Sequence, residues 1–421
     1  MTPTKTTDND PNLPFRDRII EAKRALRAQI PDLKERFAAL TKDLERQIEV
    51  IERERDAGIA TVPEVQFKDL DQIDAATKAR VKQRGAVVIR GVFDSQRITD
   101  WNSTLERYIS DNHYLDRQKE KAGLDKYFST LASSRPQIYG LYWSKPQMEA
   151  RQSEELAQTR RWLNRLWDMQ QDGQQVFNPD QECTYADRVR QREPGDASLG
   201  LSPHTDGGSI ERWIDPGYQK VYAKVFGGDL SAYDPFAAAY RTETHEIPSP
   251  AVCSMFRTFQ GWTALTAQGP GDGTLNVVPI ANAMAWILLR ALQDDVPEDE
   301  LCGARAGRAL VVSQEYHQLL WRAFGPIPKV EAGDTVWWHP DVIHGVEDKH
   351  NGKHYSNVMY IGAAPDCAKN RAFLSKQLPA FEAGKSSPDF AAENYEVDFA
   401  NRFLPSDLTP MGRKQMGYDI G

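Results

Sequence analysis

The first sixty residues have the spacing of amphipathic helices. Residues 15–56 are dense in charged side chains, and Pro31 divides them into two helices because proline is tolerated in a first helical turn. In the second helix, apolar side chains recur at steps of three and four and therefore share one face: Phe37, Leu40, Leu44, Ile48 and Ile51. We expect this face to pack on the main domain or on a second copy of the chain, as in a homo-oligomer. Residues 1–14 are polar and predict a flexible tail.

Beyond residue 60, helical patterns give way to short strands. Residues 85–93 form a β-branched run between glycines, which predicts a buried strand. Helical spacing continues in four segments: 74–84, 95–111, 152–172 and 281–293. From residue 182 onward, short apolar runs separated by Gly, Pro and Asp predict further strands: 184–192, 251–266, 274–280, 335–339 and 356–362. This order is typical of a mainly β, α+β fold, a sandwich or jelly roll with helical decoration.

Composition narrows the classes of partner. The 421 residues carry a formal net charge of −8, which argues against nucleic acid or an anionic membrane as a partner. No apolar run approaches the length of a membrane-spanning helix, and the N-terminus lacks a hydrophobic signal core. The four cysteines show no CxxC spacing, which favours a reducing compartment over a disulfide framework. We therefore expect a cytoplasmic protein.

A His-x-Asp pair is the first candidate for metal chemistry. His204 and Asp206 are two residues apart, so on a strand both side chains project from the same face and can reach one ion. Alone this signal is weak, since such a pair also arises by chance as a surface histidine beside a turn aspartate.

A second histidine downstream strengthens the case. A Gly-Asp turn at residues 333–334 launches an apolar strand that leads to His339, Pro340 and then His344. His344 is the preferred third ligand because it lies at a strand end beyond the proline, whereas His339 lies within the strand and is expected to be a hydrogen-bonded core residue. Two imidazoles and one carboxylate leave coordination positions open, which is typical of non-haem Fe(II) oxygenases.

The other histidines have weaker contexts. We expect His350 and His354, which lie in a polar loop, to face solvent. Nothing around His113, His245 or His317 suggests a ligand role.

Several motifs together resemble the Fe(II)/2-oxoglutarate-dependent dioxygenase superfamily, and more closely its DUF1479 (YbiU-like) group. The resemblance spans most of the chain and is carried by these segments: 88–93, 187–190, 194–196, 200–213, 256–265, 275–280, 333–344 and 357–361. It implies a double-stranded β-helix (cupin-like jelly roll) over residues 61–421, after the helical segment 15–60.

The resemblance also implies an activity. Ferrous iron would be held by His204, Asp206 and His344, and 2-oxoglutarate and O₂ would be consumed with release of succinate and CO₂. The oxidised substrate would be a small molecule, and arginines in the barrel suggest that it carries a carboxylate. We place Arg190, Arg192 and Arg212 as candidates for binding it.

One departure from the superfamily concerns the far carboxylate of 2-oxoglutarate. Many relatives place a basic residue about ten positions beyond the distal histidine, but here that stretch reads Lys353-His354-Tyr355-Ser356. A carboxylate buried without a cation is costly, so another residue has to replace it. Arg257 is the leading candidate because a guanidinium can bind a carboxylate bidentately, and Lys353 is the second. Trp262 resembles the aromatic residue beside the cosubstrate, or else is a core tryptophan.

Two other functional classes remain open on the sequence alone. The first is a metal-dependent cupin isomerase, or a dioxygenase that needs no 2-oxoglutarate. The second is a non-catalytic binding protein on a jelly-roll scaffold.

Overall fold

The computed structural model describes residues 11–120, 136–198 and 203–418. Residues 1–10 of the predicted tail lie outside this range, and the tail prediction is wrong for the residues that follow. Asn12 is buried, its Nδ2 donates to the Ala304 carbonyl at 2.8 Å, and its Oδ1 accepts from the Ala306 N–H. These hydrogen bonds attach the start of the described chain to the main domain.

Helices occupy both ends of the chain and the connections between strands. Asp74 and Asp94 cap two of the helices by accepting a backbone N–H from the third residue onward, as expected at N-caps. The α-helices of the described residues are α1 Arg16–Gln29, α2 Leu33–Asp56, α3 Ala75–Arg84, α4 Ser95–Asp111, α5 Tyr114–Glu120, α6 Lys145–Arg151, α7 Glu154–Asn164, α8 Glu211–Ile214, α9 Pro216–Val221, α10 Ala223–Phe226, α11 Ala283–Arg290, α12 Gln314–Trp321, α13 Ala368–Ala383 and α14 Pro410–Met416.

The strands form two large sheets and two separate two-stranded pairs, β4 with β5 and β6 with β16. The seven-stranded sheet has the order β1-β2-β13-β9-β15-β7-β3, and the five-stranded sheet has the order β11-β8-β14-β10-β12. The strands are β1 Glu64–Gln66, β2 Ala86–Arg90, β3 Ile138–Tyr139, β4 Gln170–Gln171, β5 Gln174–Gln175, β6 Asn178–Glu182, β7 Val189–Arg192, β8 His204–Thr205, β9 Phe259–Ala264, β10 Leu275–Val277, β11 Leu310–Val311, β12 Gly325–Pro326, β13 Thr335–Trp338, β14 His344–Val346, β15 Ser356–Ala363 and β16 Pro365–Asp366.

The two large sheets share one apolar core. Trp262 and Val336 of the larger sheet pack in the same buried cluster as Leu275 and Val277 of the smaller one. Among these strands, β1 pairs with β2 in parallel and the other pairings are antiparallel. From β7 to β10 and again from β13 to β15 the chain passes from one sheet to the other at each strand. The molecule is therefore a mixed α+β fold with large antiparallel sheets.

The N-terminal helices pack on this domain. All five residues of the predicted apolar face of α2 join a cluster with Trp213 and the helix α11. In α1 the buried Lys23 ammonium donates to the carbonyls of Pro297 and Glu300 at 2.6 and 2.8 Å. Of the two predicted sites for the α2 face, the main domain is therefore the one it covers.

Several predicted elements are longer than the observed ones. The helix predicted over residues 152–172 ends at Asn164, whose amide donates to Glu182, and the chain then turns into the β4–β5 hairpin. Asp172 and Gly173 both adopt positive φ at that hairpin, a conformation typical of tight hairpin turns. The strands predicted over 184–192 and 251–266 shorten to β7 and β9, and the irregular residues before each of them line the cavity described below.

Two further features concern the helices and the cysteines. Among the helices of the described residues, none combines the length and the apolar character that crossing a bilayer requires. The four cysteines are free thiols and all are buried.

Candidate metal centre

Two neighbouring strands of the smaller sheet bring the two predicted histidines face to face. His204 of β8 and His344 of β14 are direct register partners in an antiparallel pair. Their ring centroids lie 4.5 Å apart. Because directly opposed residues project from the same face of a sheet, both imidazoles point to one place.

Asp206 completes the group from the end of β8. Its Oδ1 lies 3.6 Å from His204 Nε2 and its Oδ2 lies 3.5 Å from His344 Nε2. One candidate ligand atom from each of the three residues lies within 4.8 Å of the others. The three residues predicted from the sequence are thus gathered within the reach of a single ion.

Neighbouring groups orient two of the three side chains. His344 Nδ1 lies 3.1 Å from the Val342 carbonyl, and because a carbonyl can only accept, Nδ1 carries a proton, which leaves Nε2 facing Asp206 as the nitrogen that can bind an ion once deprotonated. The ring also packs on Trp338, with centroids 5.0 Å apart. Gln260 Nε2 donates to Asp206 Oδ2. Gln260 was not predicted from the sequence, since an amide in a buried strand carries no motif.

The charge on Asp206 is favoured by its neighbours. Burial raises the pKa of this carboxyl, but a hydrogen bond from His344 and the charges of His344, His204 and Arg257 outweigh burial and hold its pKa well below the usual range. The carboxylate is therefore ionised at neutral pH, as a metal ligand has to be.

His339 is held away from this group, as expected for a core histidine. It is buried and stacked on Trp167 at 4.7 Å, with an interplanar angle of 13°. Its Nε2 lies 2.9 Å from the Pro235 carbonyl, and its Nδ1 accepts from the Asp341 N–H. Both ring nitrogens are thus engaged.

A cavity between the two sheets opens onto the candidate ligands. His204, Asp206 and His344 line it together with the aromatic residues Tyr185, Trp262, Trp338, Tyr360 and Phe390. Trp262 and Leu275 face each other across it from opposite sheets. The predicted position of Trp262 beside the cosubstrate is therefore compatible with its place in the cavity wall.

Two arginines of the cavity wall are buried with few partners. Arg190 and Arg257 are each 8% exposed. Within the described residues, Arg190 has one hydrogen bond, from Nη2 to the Gly273 carbonyl at 3.4 Å, and burial lowers its pKa. Arg257 makes neither a hydrogen bond nor an ion pair to any described residue, and its guanidinium lies over the Tyr185 ring at 5.1 Å.

Strand register places the backbones of these two arginines on opposite sides of Gln260, the residue that contacts Asp206. Gln260, which contacts Asp206, pairs with Gly362 of β15, and Arg190 pairs with Val358 four residues away. That separation corresponds to about 13 Å of strand. Arg257 lies three residues from Gln260 in the other direction.

Arg188 also lines the cavity, and the sequence reasoning missed it. Its Nε lies 3.5 Å from Asp187 Oδ1, and its guanidinium lies 4.3 Å from the centre of the Phe390 ring. Since Arg188 and Arg190 are two residues apart, the period of a strand was a signal that could have found it.

Lys353 and Arg192, two other predicted binding residues, lie elsewhere. Lys353 is exposed in a turn and is absent from the cavity wall, because β15 begins only at Ser356. Arg192 is fully buried and donates to the carbonyls of Gly273 and Asp196 at 2.9 and 3.1 Å. Lys353 is thus outside the site, and Arg192 is bound to backbone.

Arg212 belongs to a buried ion-pair network rather than to the cavity. Its Nη1 lies 2.7 Å from Asp341 Oδ1, while Arg241 holds the other carboxylate oxygen at 2.9 Å. Arg212 also donates to the carbonyls of Gly207 and Gly208. The network therefore joins the loop after Asp206 to the turn before His344.

Burial raises the pKa of the Asp341 carboxyl, but the charges of Arg241 and Arg212 outweigh it and hold this pKa well below its usual range.

The expectation that His350 faces solvent is wrong. His350 is fully buried, and its Nε2 lies 2.8 Å from the His354 carbonyl while its Nδ1 accepts from the Gly352 N–H. The polar loop thus closes around the imidazole, whereas His354 is exposed as expected.

Comparison with known proteins identifies the family. The Gig2-like family model matches residues 13–418. The Escherichia coli (strain K12) protein YbiU is 46% identical over 424 residues, covering 100% of both chains. A solved structure of a candidate oxidoreductase from Salmonella typhimurium LT2 is 46% identical, with a TM-score of 0.90 over 98% of each chain.

A more distant solved structure agrees. GlcNAc Inducible Gene 2, GIG2 (DUF1479), from Candida albicans is 28% identical, with a TM-score of 0.75 over 95% of this chain and 89% of that one. The predicted resemblance to the DUF1479 group is confirmed. This chain belongs to the Gig2-like (DUF1479) family.

Proposed function

We propose that this protein is a non-haem Fe(II)- and 2-oxoglutarate-dependent oxygenase that oxidises a small molecule and releases succinate and CO₂. The observation that carries the proposal is the convergence of His204, Asp206 and His344 at the wall of a cavity between two sheets. The description of the Salmonella relative as a candidate oxidoreductase agrees with an enzyme of this class.

The strand order supports a double-stranded β-helix as the scaffold. The central strands run β7-β15-β9-β13 in one sheet and β8-β14-β10-β12 in the other, with alternating passage between the sheets. A jelly roll winds a chain in this way. Its two sheets enclose a cavity whose mouth holds the ends of β8 and the start of β14.

The donor set fits ferrous iron. Two neutral imidazoles and one carboxylate on one side of an ion leave adjacent positions vacant, which is the arrangement that non-haem Fe(II) oxygenases use. A structural zinc site would close its coordination shell and would favour cysteine, and no cysteine belongs to the group found among the described residues. When bound, the iron would supply the oxidising chemistry with O₂ and 2-oxoglutarate.

The protein's own residues hold this centre in place. Val342 sets the His344 tautomer, and Gln260 fixes the rotation of the Asp206 carboxylate. Trp262, Trp338 and Tyr360 give the cavity aromatic walls, which would limit the entry of water once a substrate is bound. Such supporting contacts are expected to raise metal affinity and to keep the open positions facing the cavity.

Arg190 is the residue that we now propose as the anchor for the far carboxylate of 2-oxoglutarate, in place of Arg257. Arg190 lines the same cavity as the candidate ligands, and its strand position is four residues along β15 from the residue level with Gln260. Its single long hydrogen bond leaves donors for a carboxylate, which is a strong partner for a guanidinium. Lys353, the second candidate, lies outside the cavity.

A reducing cytoplasm is the setting that we propose for this enzyme. Its four thiols are free and buried, and ferrous iron is retained more readily in such a compartment.

Succinate formation tests the proposed function. We expect purified protein with Fe(II), ascorbate and 2-oxoglutarate to form succinate in the presence of O₂, slowly without substrate and faster with it. His204→Ala should form none while remaining folded by circular dichroism. Tight iron binding without any effect of 2-oxoglutarate would instead favour an isomerase or a cosubstrate-independent dioxygenase.

A further inference from the structure

We propose that the substrate carries an oxyanion, a carboxylate or a phosphate, that Arg257 binds on the mouth side of the candidate metal centre. This inference rests on the proposed function, since it takes one anion of the cavity to be 2-oxoglutarate. It assigns Arg257 to the substrate rather than to the cosubstrate.

The guanidinium of Arg257 feels the charges of Asp206 and Asp187 but touches neither carboxylate. The side chain is 8% exposed, yet no described carboxylate lies within ion-pair distance of it. A buried charge without hydrogen bonds is costly, so such a group is normally paired or awaits a ligand. The position of the guanidinium over the Tyr185 ring supplies a modest attraction but no hydrogen-bond acceptor for its N–H groups.

The carboxylates near Arg257 already have other partners. Asp389 accepts hydrogen bonds from the Ser254 N–H and hydroxyl, both at 2.7 Å, and from the Tyr185 hydroxyl at 3.2 Å. Asp187 lies against Arg188. Asp206 is committed to the metal centre. Among the described residues, Arg257 is therefore left without a contacting carboxylate, and an incoming anion would supply one.

A single 2-oxoglutarate molecule cannot bind both Arg190 and Arg257. Arg190 of β7 pairs with Val358 of β15, which in turn pairs with Ala264 of β9. Ala264 is seven residues along the chain from Arg257. Seven residues correspond to roughly 20 Å of strand between the two backbones. The Arg257 side chain folds back toward Gly362, which is level with Gln260, so its guanidinium lies nearer to the candidate ligands than its backbone does. With Gln260 between the two backbones, a five-carbon diacid that chelates the metal reaches toward one side only. The cavity thus has two anion positions, and one of them is left for the substrate.

The test measures binding, with Zn(II) as a redox-silent substitute for Fe(II) on the full-length protein. Calorimetry first establishes that 2-oxoglutarate binds the zinc-loaded protein. With 2-oxoglutarate saturating, a panel of small carboxylic acids is then screened by saturation-transfer NMR. Each acid is compared with its primary amide and with a phosphate monoester on the same carbon skeleton, so the two oxyanion sources are separated.

We expect binding to be confined to acids or phosphates, with each amide at least about tenfold weaker, as for the loss of one charge-assisted hydrogen bond. Arg257→Gln should lose this binding, Arg257→Lys should retain part of it, and the exposed control Lys353→Gln should leave it unchanged. The affinity for 2-oxoglutarate should be unchanged in Arg257→Gln and reduced in Arg190→Gln.

Three results would overturn the inference while leaving the proposed function intact. They are amides that bind as well as acids, a panel in which no oxyanion binds although 2-oxoglutarate does, and an Arg257→Gln variant that loses 2-oxoglutarate instead. Failure of 2-oxoglutarate to bind at the first step would refute the proposed function, and the inference with it. Partial retention in Arg257→Lys guards against mistaking a misfolded variant for a loss of binding.

Discussion

Two groups of buried arginines lie beside the candidate metal centre, and they differ in what neutralises them. Arg212 and Arg241 share the carboxylate of Asp341 at 2.7 and 2.9 Å. Arg190 and Arg257 are almost as deeply buried, yet their described contacts amount to one long hydrogen bond and one ring face. Burial alone therefore does not distinguish a structural arginine from a ligand-binding one, whereas the presence of a counterion does.

The largest effect is expected at Asp341, whose carboxylate Arg212 and Arg241 share. Asp341→Asn keeps the shape but leaves two buried guanidiniums without a negative charge, so the free energy of unfolding should fall by about 3–5 kcal/mol. Urea unfolding at pH 7 measures it. Asp294→Asn, which removes an exposed carboxylate paired with Lys34, is the matched control and should change little. A loss at Asp341 no larger than the control would show that the network is not a structural unit.

The second prediction concerns Arg190 against Arg212. Arg190→Gln should weaken 2-oxoglutarate binding about 10- to 100-fold, the effect of removing a charged hydrogen-bond donor, without destabilising the ligand-free protein. Arg212→Gln should do the reverse, because it breaks an ion pair that already exists in the free protein. Calorimetry and urea unfolding on both variants give the two readouts. Equal destabilisation by both would remove the distinction between the groups.

Acid should destabilise the region around Asp341 through His339, whose Nδ1 accepts a hydrogen bond from the Asp341 N–H. Burial lowers the pKa of His339 from 6.5 to about 3. As the pH falls, His339 is protonated in the unfolded chain before it is protonated in the folded protein. The contribution of the neutral His339 to the free energy of unfolding is therefore complete above about pH 6.5 and is lost at lower pH. Between pH 6.5 and 5 the loss should approach about 2 kcal/mol. His339→Gln should show a correspondingly shallower decline in urea unfolding over that interval, and a parallel decline would contradict the assignment.

The smallest effect is expected at Gln260, on the cavity side. Gln260→Leu removes the donor to Asp206 and should lower metal affinity roughly 10-fold, as is usual for a residue that orients a ligand. A competition titration with a fluorescent chelator and Zn(II) measures it. Gln260→Asn, with a shorter reach, should behave like the leucine variant, while unchanged affinity in both would show that the hydrogen bond is dispensable.

Local patterns predicted the candidate ligands well, since they depend on short-range signals. A two-residue spacing in His204 and Asp206 and a strand end at His344 are visible in the chain, and the strand pairing joins them. The predicted helix at 95–111 and the strands at 335–339 and 356–362 also match within a residue because their apolar periods are regular.

The sequence could not distinguish side chains whose roles depend on partners far away along the chain. Arg190, Arg192 and Arg212 look alike in the chain, but the first two donate to the Gly273 carbonyl, 83 and 81 residues away, whereas Arg212 pairs with the Asp341 carboxylate, 129 residues away. Lys353 was selected by its distance from His344 along the chain, yet it precedes the strand that would have carried it inward. His350 looked exposed because its loop is polar, although that loop folds over its ring.

Iron placement tests the central claim most directly. Crystals of the full-length protein soaked anaerobically with Fe(II), and measured on both sides of the iron absorption edge, would locate the ion by anomalous scattering. We predict one iron within about 2.2 Å of His204 Nε2, His344 Nε2 and one Asp206 oxygen, a distance typical of transition-metal ligands. An iron bound elsewhere, or no anomalous peak between these three side chains at saturating Fe(II), would contradict the account.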